Sequence, residues 1–245
     1  MKAYKYVPLI ILPFASSTYA DQLNSSIGIT GIWAESYIVG EDNVSDPFPY
    51  VNLSYGMFRA SPQGIGVEHA ISDKDKVSLL VKLRRSPLDI DENSQLTGLN
   101  ERKDATELAL GWSTKLQSID ITSSLAADIS DKHNGYEAKI KASKPYKTQV
   151  GLFIPSLGLA YQSKDLVNYY HGISASESAL SGYQAYEGDG GVIGQMGITH
   201  IFPISDHWKT ITNIQHTTLG DNISDSPIVE QSSFWAGMFS VVYTF

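Results

Sequence analysis

Histidine is the side chain best suited to acid–base chemistry near neutral pH, and this sequence has six: His69, His133, His171, His200, His207 and His216. A serine hydrolase built on strands needs its nucleophile and base within hydrogen-bond reach, conveniently two residues apart on one strand face. No His-x-Ser occurs, and no histidine is bracketed by an acid and a serine on an alternating face. Asp206-His207 resembles an acid–histidine pair, but it lies in a short polar link and reads as a solvated turn. Asp89-Ile-Asp-Glu-Asn93 spaces its oxygens as a calcium loop would, yet it lacks the glycine at the sixth position and the glutamate at the twelfth. It reads as a solvated acidic loop, with loose divalent bridging to surface phosphates as the alternative. Cysteine is absent, which excludes thiol catalysis, disulfides and cysteine metal sites. These observations point away from catalysis and from a resident cofactor or metal.

The more informative charges are Glu68, Lys82, Arg84, Glu107, Asp120, Glu137, Lys139 and Lys141, which share faces with polar residues and alternate with apolar ones. Val77, Leu79, Val81 and Leu83 alternate with Ser78, Lys82 and Arg84; Ile119, Ile121, Leu125 and Ala127 alternate with Asp120, Thr122, Ser124 and Asp128. Tyr136, Ala138, Ile140 and Ala142 alternate with Glu137, Lys139, Lys141 and Ser143, and Thr106, Leu108, Leu110 and Trp112 oppose Glu107 and Ser113. A period of two is the side-chain period of a β-strand. One apolar and one wet face fits both a soluble sandwich and a membrane barrel, in which the wet face lines the lumen.

The two ends of the sequence favour the barrel. The last residues alternate so that Trp235, Phe239, Val241, Tyr243 and Phe245 share one face, with aromatics near both ends. This pattern, with Phe239, Val241, Tyr243 and Phe245 as its core, looks like the signal by which outer-membrane barrels are handed to the barrel-assembly machinery. At the other end Lys2 and Lys5 precede an apolar run from Val7 to Phe14, followed by Thr18 and Ala20 at the small-residue positions a signal peptidase reads. The expectation is a cleaved signal peptide over residues 1–20 and a single barrel domain over 21–245. Without Lys2 and Lys5 the mature chain has 16 basic against 26 acidic residues, a net charge of −10 that makes nucleic acid an unsuitable partner.

Less regular strands are expected at about residues 25–37, 50–71, 149–162, 192–202 and 208–218. Taking 50–71 as one long strand gives about ten, with twelve as the other even count near it; Ser61-Pro62-Gln63-Gly64 could instead be a turn within that stretch. Short links around 73–75, 114–116, Lys144-Pro145-Tyr146-Lys147 and Ser205-Asp206 alternate with long ones around 38–48, 87–104, 163–189 and 219–232. In an outer-membrane barrel with periplasmic termini, the long links are extracellular and the short turns periplasmic.

The long links carry a resemblance. Asn168-Tyr169-Tyr170-His171-Gly172-Ile-Ser174, followed by Ser176-Glu177-Ser178, Ser181-Gly182 and Tyr186, resembles a stretch shared by the MltA-interacting protein (MipA/OmpV) family. Leu99-Asn-Glu-Arg102 with Ala105 and Thr106, Asp128-Ile-Ser130 with Asn134-Gly135, Asp225-Ser226-Pro227 with Val229, and Gly237 with Tyr243-Thr-Phe245 are similar to that family's other landmarks, in the same order. His171 departs from the pattern, standing where a third aromatic is usual; it is expected to pack in that aromatic's place, with a proton-sensitive role as the alternative. The resemblance implies a non-enzymatic envelope scaffold, set in outer-membrane lipid and lipopolysaccharide and linked to a lytic transglycosylase and a bifunctional murein polymerase. A narrow porin-like channel is the second reading and a barrel hydrolase a distant third.

Overall fold

A computed structural model describes residues 24–245. Thirteen strand segments form one antiparallel sheet: β1 (Asn24–Ala34), β2 (Val44–Tyr55), β3 (Phe58–Ser61), β4 (Gly64–Ala70), β5 (Lys76–Arg84), β6 (Ala105–Leu116), β7 (Ile119–Asp128), β8 (Tyr136–Ser143), β9 (Tyr146–Thr148), β10 (Gly151–Gln162), β11 (Gly191–Pro203), β12 (Trp208–Leu219) and β13 (Ser233–Thr244). Each pairs with a sequence neighbour, β1 pairs with β13, and the sheet closes on itself, with the short β3 and β4 joining Leu53–Tyr55 of β2 to Lys76–Val81 of β5. β8 and β9 are one strand in space. Ser143 faces Ser156 and Tyr146 faces Phe153, so the register runs unbroken past Lys144-Pro145. The barrel therefore has twelve strands.

Two expectations need correction. Pro145 does not mark a turn; it only withholds a donor from the ladder, and the turn comes later, at Gln149-Val150, where Gly151 takes a φ of 110°. The stretch 50–71 is three strands rather than one, which moves the count from ten to twelve. Gly56, at φ 55°, lets the chain reverse through Gly56-Met57, and Gly64 closes a second reversal through Pro62-Gln63. A two-residue turn flips the parity of outward residues, from Tyr55 to Phe58, and the second turn flips it back, from Ala60 to Ile65. Val51, Leu53, Tyr55, Ile65 and Val67 therefore keep one parity across a hidden hairpin.

Outward positions are apolar right round the wall, among them Ile29, Val51, Leu79, Leu110, Leu125, Leu157, Ile198 and Phe239. Aromatics stand outward at both ends of the strands: Trp33, Tyr136, Tyr161 and Trp235 at one rim, Tyr55, Trp112, Phe202 and Trp208 at the other. An apolar band between two aromatic girdles is what a strand wall in a bilayer requires. The first rim carries the long links 35–43, 85–104, 129–135, 163–190 and 220–232, and the second carries short turns and both chain ends of the sheet. Inside, β1, β2, β12 and β13 contribute an apolar cluster of Ile32, Tyr50, Ile211, Met238 and Val242. The lumen is therefore not uniformly wet, and its charges crowd onto the opposite wall, β5 to β8.

Candidate functional site

On that wall the charges converge. The β5–β6 register sets Lys82 opposite Glu107, and the β8–β10 register sets Glu137 opposite Gln162. The fully buried Glu107 carboxylate is 3.0 Å from Lys82 Nζ and accepts a 2.6 Å hydrogen bond from Arg84 Nε. The inward-facing Ala126 of β7 is small enough for the Arg84 guanidinium to pass over it and reach Glu137 on β8 at 3.2 Å. Gln162 Nε2 donates to Glu137 at 3.1 Å. His133 completes the cluster: its Nδ1 accepts from the Gly135 amide at 3.0 Å, which makes Nε2 the protonated nitrogen that faces Glu107 at 3.2 Å. Both ring nitrogens are thus engaged structurally. Buried charges persist only when paired, and here Glu107 and Glu137 are each ion-paired and accept a hydrogen bond, with partners drawn from β5, β10 and the 129–135 link.

Not every charge assigned to the lumen joins it. Glu68 pairs with Arg59 at 2.6 Å and with Lys76 at 3.6 Å, nearer the short-turn rim, because β4 begins only where the β3–β4 hairpin ends. Asp120 lies beside the β6–β7 turn and faces Lys115 at 3.8 Å. Lys139 and Lys141 follow Glu137 along the inner face of β8, one and two inward positions further from the long-link rim. Two cavities flank the cluster, of about 210 Å³ toward the long-link rim and about 100 Å³ toward the short turns, and both are walled by Lys82, Glu137 and Lys139.

The long links fold into a cap over the mouth. They include two helices, α1 (Lys164–His171) and α2 (Ala175–Ser181), and a single turn, α3 (Asp221–Ser224); Val167 of α1 and Ile223 of α3 pack with Leu219 and Phe234, and a second cluster joins Ile38, Leu88, Leu96, Leu99, Ile173 and Ile228. The residues of the family resemblance that lie in the long links assemble here. Glu177 caps α2 by accepting from the Ser174 amide at 2.9 Å and hydroxyl at 2.7 Å; its other oxygen accepts from the Asn100 amide at 2.9 Å and from Arg102 at 2.8 Å. Arg102 also donates to the Gly172 carbonyl, so one buried ion pair ties the 85–104 link to the 163–190 link. Tyr169 accepts from the Lys103 amide and Tyr170 donates to the Lys103 carbonyl. Ser181 Oγ donates to the Glu177 carbonyl, the Gly182 amide closes α2 on Ser178 with a left-handed φ of 81°, and Ser226, between Asp225 and Pro227, donates to the His171 carbonyl at 2.6 Å.

His171 is buried at the end of α1, its Nε2 3.3 Å from the Tyr37 hydroxyl. Burial, aided by the charges of Arg102 and Arg84, pushes it down to about 4. Burial alone would raise Glu177, but the Asn100 and Ser174 amides, the Ser174 hydroxyl and Arg102 bring it down to about 2. A buried neutral histidine contributes stability that is complete above its unfolded pKa near 6.5 and is lost as pH falls toward about 4. The Glu177 contribution is complete above about 4.5 and is lost toward about 2. The cap is therefore expected to loosen in two acid stages while the barrel wall stays closed. Hydrogen exchange of the amides from Ser174 to Gly182 checks this; His171→Phe should abolish the first stage, and a first stage that survives the substitution would contradict the assignment.

Gln162 is a site residue that the sequence reading does not name, and neither Arg102 nor His133 is assigned an ion-pair partner from the sequence. Gln162 sits on the inward parity of β10 and Arg102 closes one of the family landmarks, and both are visible signals; nothing in the sequence places the 129–135 link, and His133 with it, inside the mouth. Asp89 and Asn93 are engaged in loop structure: Asp89 accepts from the Glu92 amide, and Asn93 caps the turn Ser94–Leu96. Asp206 and His207 lie in a short-rim turn, where His207 Nδ1 is 3.1 Å from the Thr244 carbonyl. Phe239 and Val241 face outward on β13, Phe245 is exposed just after it with Tyr243 against it at 5.1 Å, and Thr18 and Ala20 lie outside the described residues.

The model of the family described as MltA-interacting protein MipA matches residues 27–245. Among similar proteins, YiaT of Escherichia coli (strain K12), named as an outer membrane protein, is 26% identical over 98% of this chain and 97% of its own. Outer membrane protein OmpV of Vibrio cholerae serotype O1 is 28% identical over 88% of this chain and 87% of its own. The MltA-interacting protein of Escherichia coli (strain K12) is 28% identical over 62% of this chain and 60% of its own.

Proposed function

The chain belongs to the MltA-interacting protein MipA family, and from that premise we propose that it is a filled, non-catalytic outer-membrane barrel with a scaffolding role in the cell envelope. The observation that carries this reading is the buried cluster of Lys82, Arg84, Glu107 and Glu137, which bridges one wall of the lumen beneath a folded cap. A pore favours mobile, wet charges; a framework favours charges that neutralise one another and hold strands in register. In this reading the cap faces outward among lipopolysaccharide, the barrel-assembly machinery reads the β13 pattern ending at Phe245, and the short-turn rim faces the periplasm. That rim is where a lytic transglycosylase would dock, with a bifunctional murein polymerase as the second partner; the name of one relative, MltA-interacting protein, supports a partner of this kind.

Crosslinked envelopes provide the test. Pull-down of the native chain is expected to recover a lytic transglycosylase, and recovery should fall when the Ser72–Asp75 and Ile204–His207 turns are replaced by glycine-serine links that leave the strands intact. Recovery of barrel-assembly components alone would remove the murein link. A narrow channel is the second reading, favoured by the two cavities on either side of the cluster.

A further inference from the structure

On the short-turn side of the charge cluster, the inner face of β5 to β8 is ordered in rows. The register aligns Ser78, Gly111, Ser124 and Lys139 across the four strands, and one inward position nearer the short turns it aligns Lys76, Ser113, Thr122 and Lys141. Each row thus ends in a lysine on β8 and carries hydroxyls on the strands before it. Directly opposed residues stand about 4.5–5.5 Å apart at Cβ, close enough for hydroxyl and ammonium groups to share a ligand. The space they share is the cavity of about 100 Å³, which Ser78, Ser113, Thr122, Ser124, Lys139 and Lys141 all line.

The charged lining of this cavity is Lys76, Lys82, Lys139 and Lys141 against Glu68 and Glu137. Adding Arg59, Arg84 and Glu107, which pair with them, gives six cations and three acids. The acids are already engaged: Glu68 by Arg59 and Lys76, Glu107 by Lys82 and Arg84, and Glu137 by Arg84. Lys139 has no ion pair within 4 Å among the described residues, and the inward hydroxyls of Ser78, Ser113, Thr122 and Ser124 have no hydrogen-bond partner among them. Composition does not account for this excess, because acids outnumber bases in the chain as a whole. Gly111 belongs to the same design. A Cβ there would collide with Ser78 Oγ, so only glycine leaves that hydroxyl in its place in the first row.

We propose that this cavity binds one small tetrahedral oxyanion, phosphate or sulfate, on Lys139 and Lys141 and the hydroxyls of Ser78, Thr122 and Ser124. Charges held away from bulk water need compensation, and an oxyanion supplies it while its four oxygens accept from ammonium and hydroxyl donors in both rows. The size agrees. A cavity of about 100 Å³ holds several waters at about 10–15 Å³ each, and it is far below the roughly 300 Å³ at which sites for drug-sized molecules begin. The occupant is therefore a free ion rather than the headgroup of a lipid. The site requires neither a conducting lumen nor a murein partner, so it goes beyond the scaffold reading and is tested apart from it.

The test is equilibrium dialysis of the full mature chain, in nonionic detergent and chloride-free buffer, against radiolabelled inorganic phosphate. Saturable binding of one phosphate per chain is expected, displaced by sulfate and only poorly by chloride or glycerol phosphate. Lys139→Gln and Lys141→Gln should each weaken binding roughly tenfold or more. Gly111→Ala should weaken it about threefold or more by turning Ser78 away without altering a charge. Lys209→Gln, on the inward face of β12 and outside both cavities, should leave it unchanged. Heat-modifiable migration checks that each variant is folded. In the native chain, phosphate should slow acetylation of Lys139 and Lys141 by an amine-reactive ester, read by mass spectrometry, and leave Lys209 unaffected. No saturable binding, binding indifferent to both Lys139→Gln and Gly111→Ala, no protection of Lys139, or displacement by chloride or glycerol phosphate as strong as by sulfate would overturn the proposal.

Discussion

Replacing Glu107 by glutamine is expected to destabilise the barrel by on the order of 3–5 kcal/mol, the cost of leaving buried cations uncompensated. Lys82 at 3.0 Å and Arg84 at 2.6 Å would lose their shared carboxylate, and Glu137 alone cannot match both. The shape of the side chain is retained, so a loss of this size reports charge rather than packing. Urea unfolding of refolded protein in detergent measures it, followed by the tryptophans Trp33, Trp112, Trp208 and Trp235. A triple variant, Lys82→Met, Arg84→Met and Glu107→Leu, should recover most of the loss, because removing a whole buried ion cluster is far less costly than breaking it. A Glu107→Gln variant as stable as the native chain would mean that water, not the carboxylate, neutralises Lys82 and Arg84.

The second large effect is expected on the outer face. Leu110 lies halfway along β6, outward and between Leu79 and Leu125, and Leu110→Arg should cost about 2–4 kcal/mol, the depth-dependent penalty for a cation at the bilayer midplane. Phe245→Asp differs in kind. Phe245 stands at the short-turn rim, its amide on the Ser25 carbonyl and its ring against Tyr243, where a charge costs only about 0–1 kcal/mol. Refolded Phe245→Asp protein should therefore be nearly as stable as the native chain, yet assemble poorly in cells if the β13 pattern is read as a signal. Folding in liposomes measures the first effect, and heat-modifiable protein in isolated outer membranes the second. Equal losses for the two variants in liposomes would contradict the midplane placement of Leu110.

The regular strands are legible because most residues of β5, β6, β7 and β8 obey one constraint, apolar to lipid or polar to lumen, with Leu80, Ala109 and Ala126 as inward apolar exceptions. Where two constraints overlap, the pattern fails. The β2–β3–β4 region hid a hairpin because its two turns restore parity, and Pro145 looked like a turn although it interrupts only a ladder. Ile32, Tyr50, Met238 and Val242 put an apolar cluster on faces expected to be wet, since that side of the lumen is packed with side chains rather than filled with water. Of the candidate site, Lys82, Arg84, Glu107 and Glu137 were readable from parity, but their partners were not. Register decides that Glu107 meets Lys82 while Glu68 and Asp120 fall nearer the short-turn rim, and register is a property of turns and loops that periodicity does not report. The landmarks in the long links were readable as a family resemblance, and their shared role as one cap became physical only when Glu177 and Arg102 were placed 2.8 Å apart.

The filled lumen is tested most directly by conductance. Native protein reconstituted into planar bilayers should give no steady single-channel current, and Glu107→Gln should add only brief, irregular openings as the cluster loosens. A large, steady conductance from the native chain, with ion selectivity that shifts on Lys139→Gln and no loss of stability, would contradict the filled barrel and establish the channel in its place.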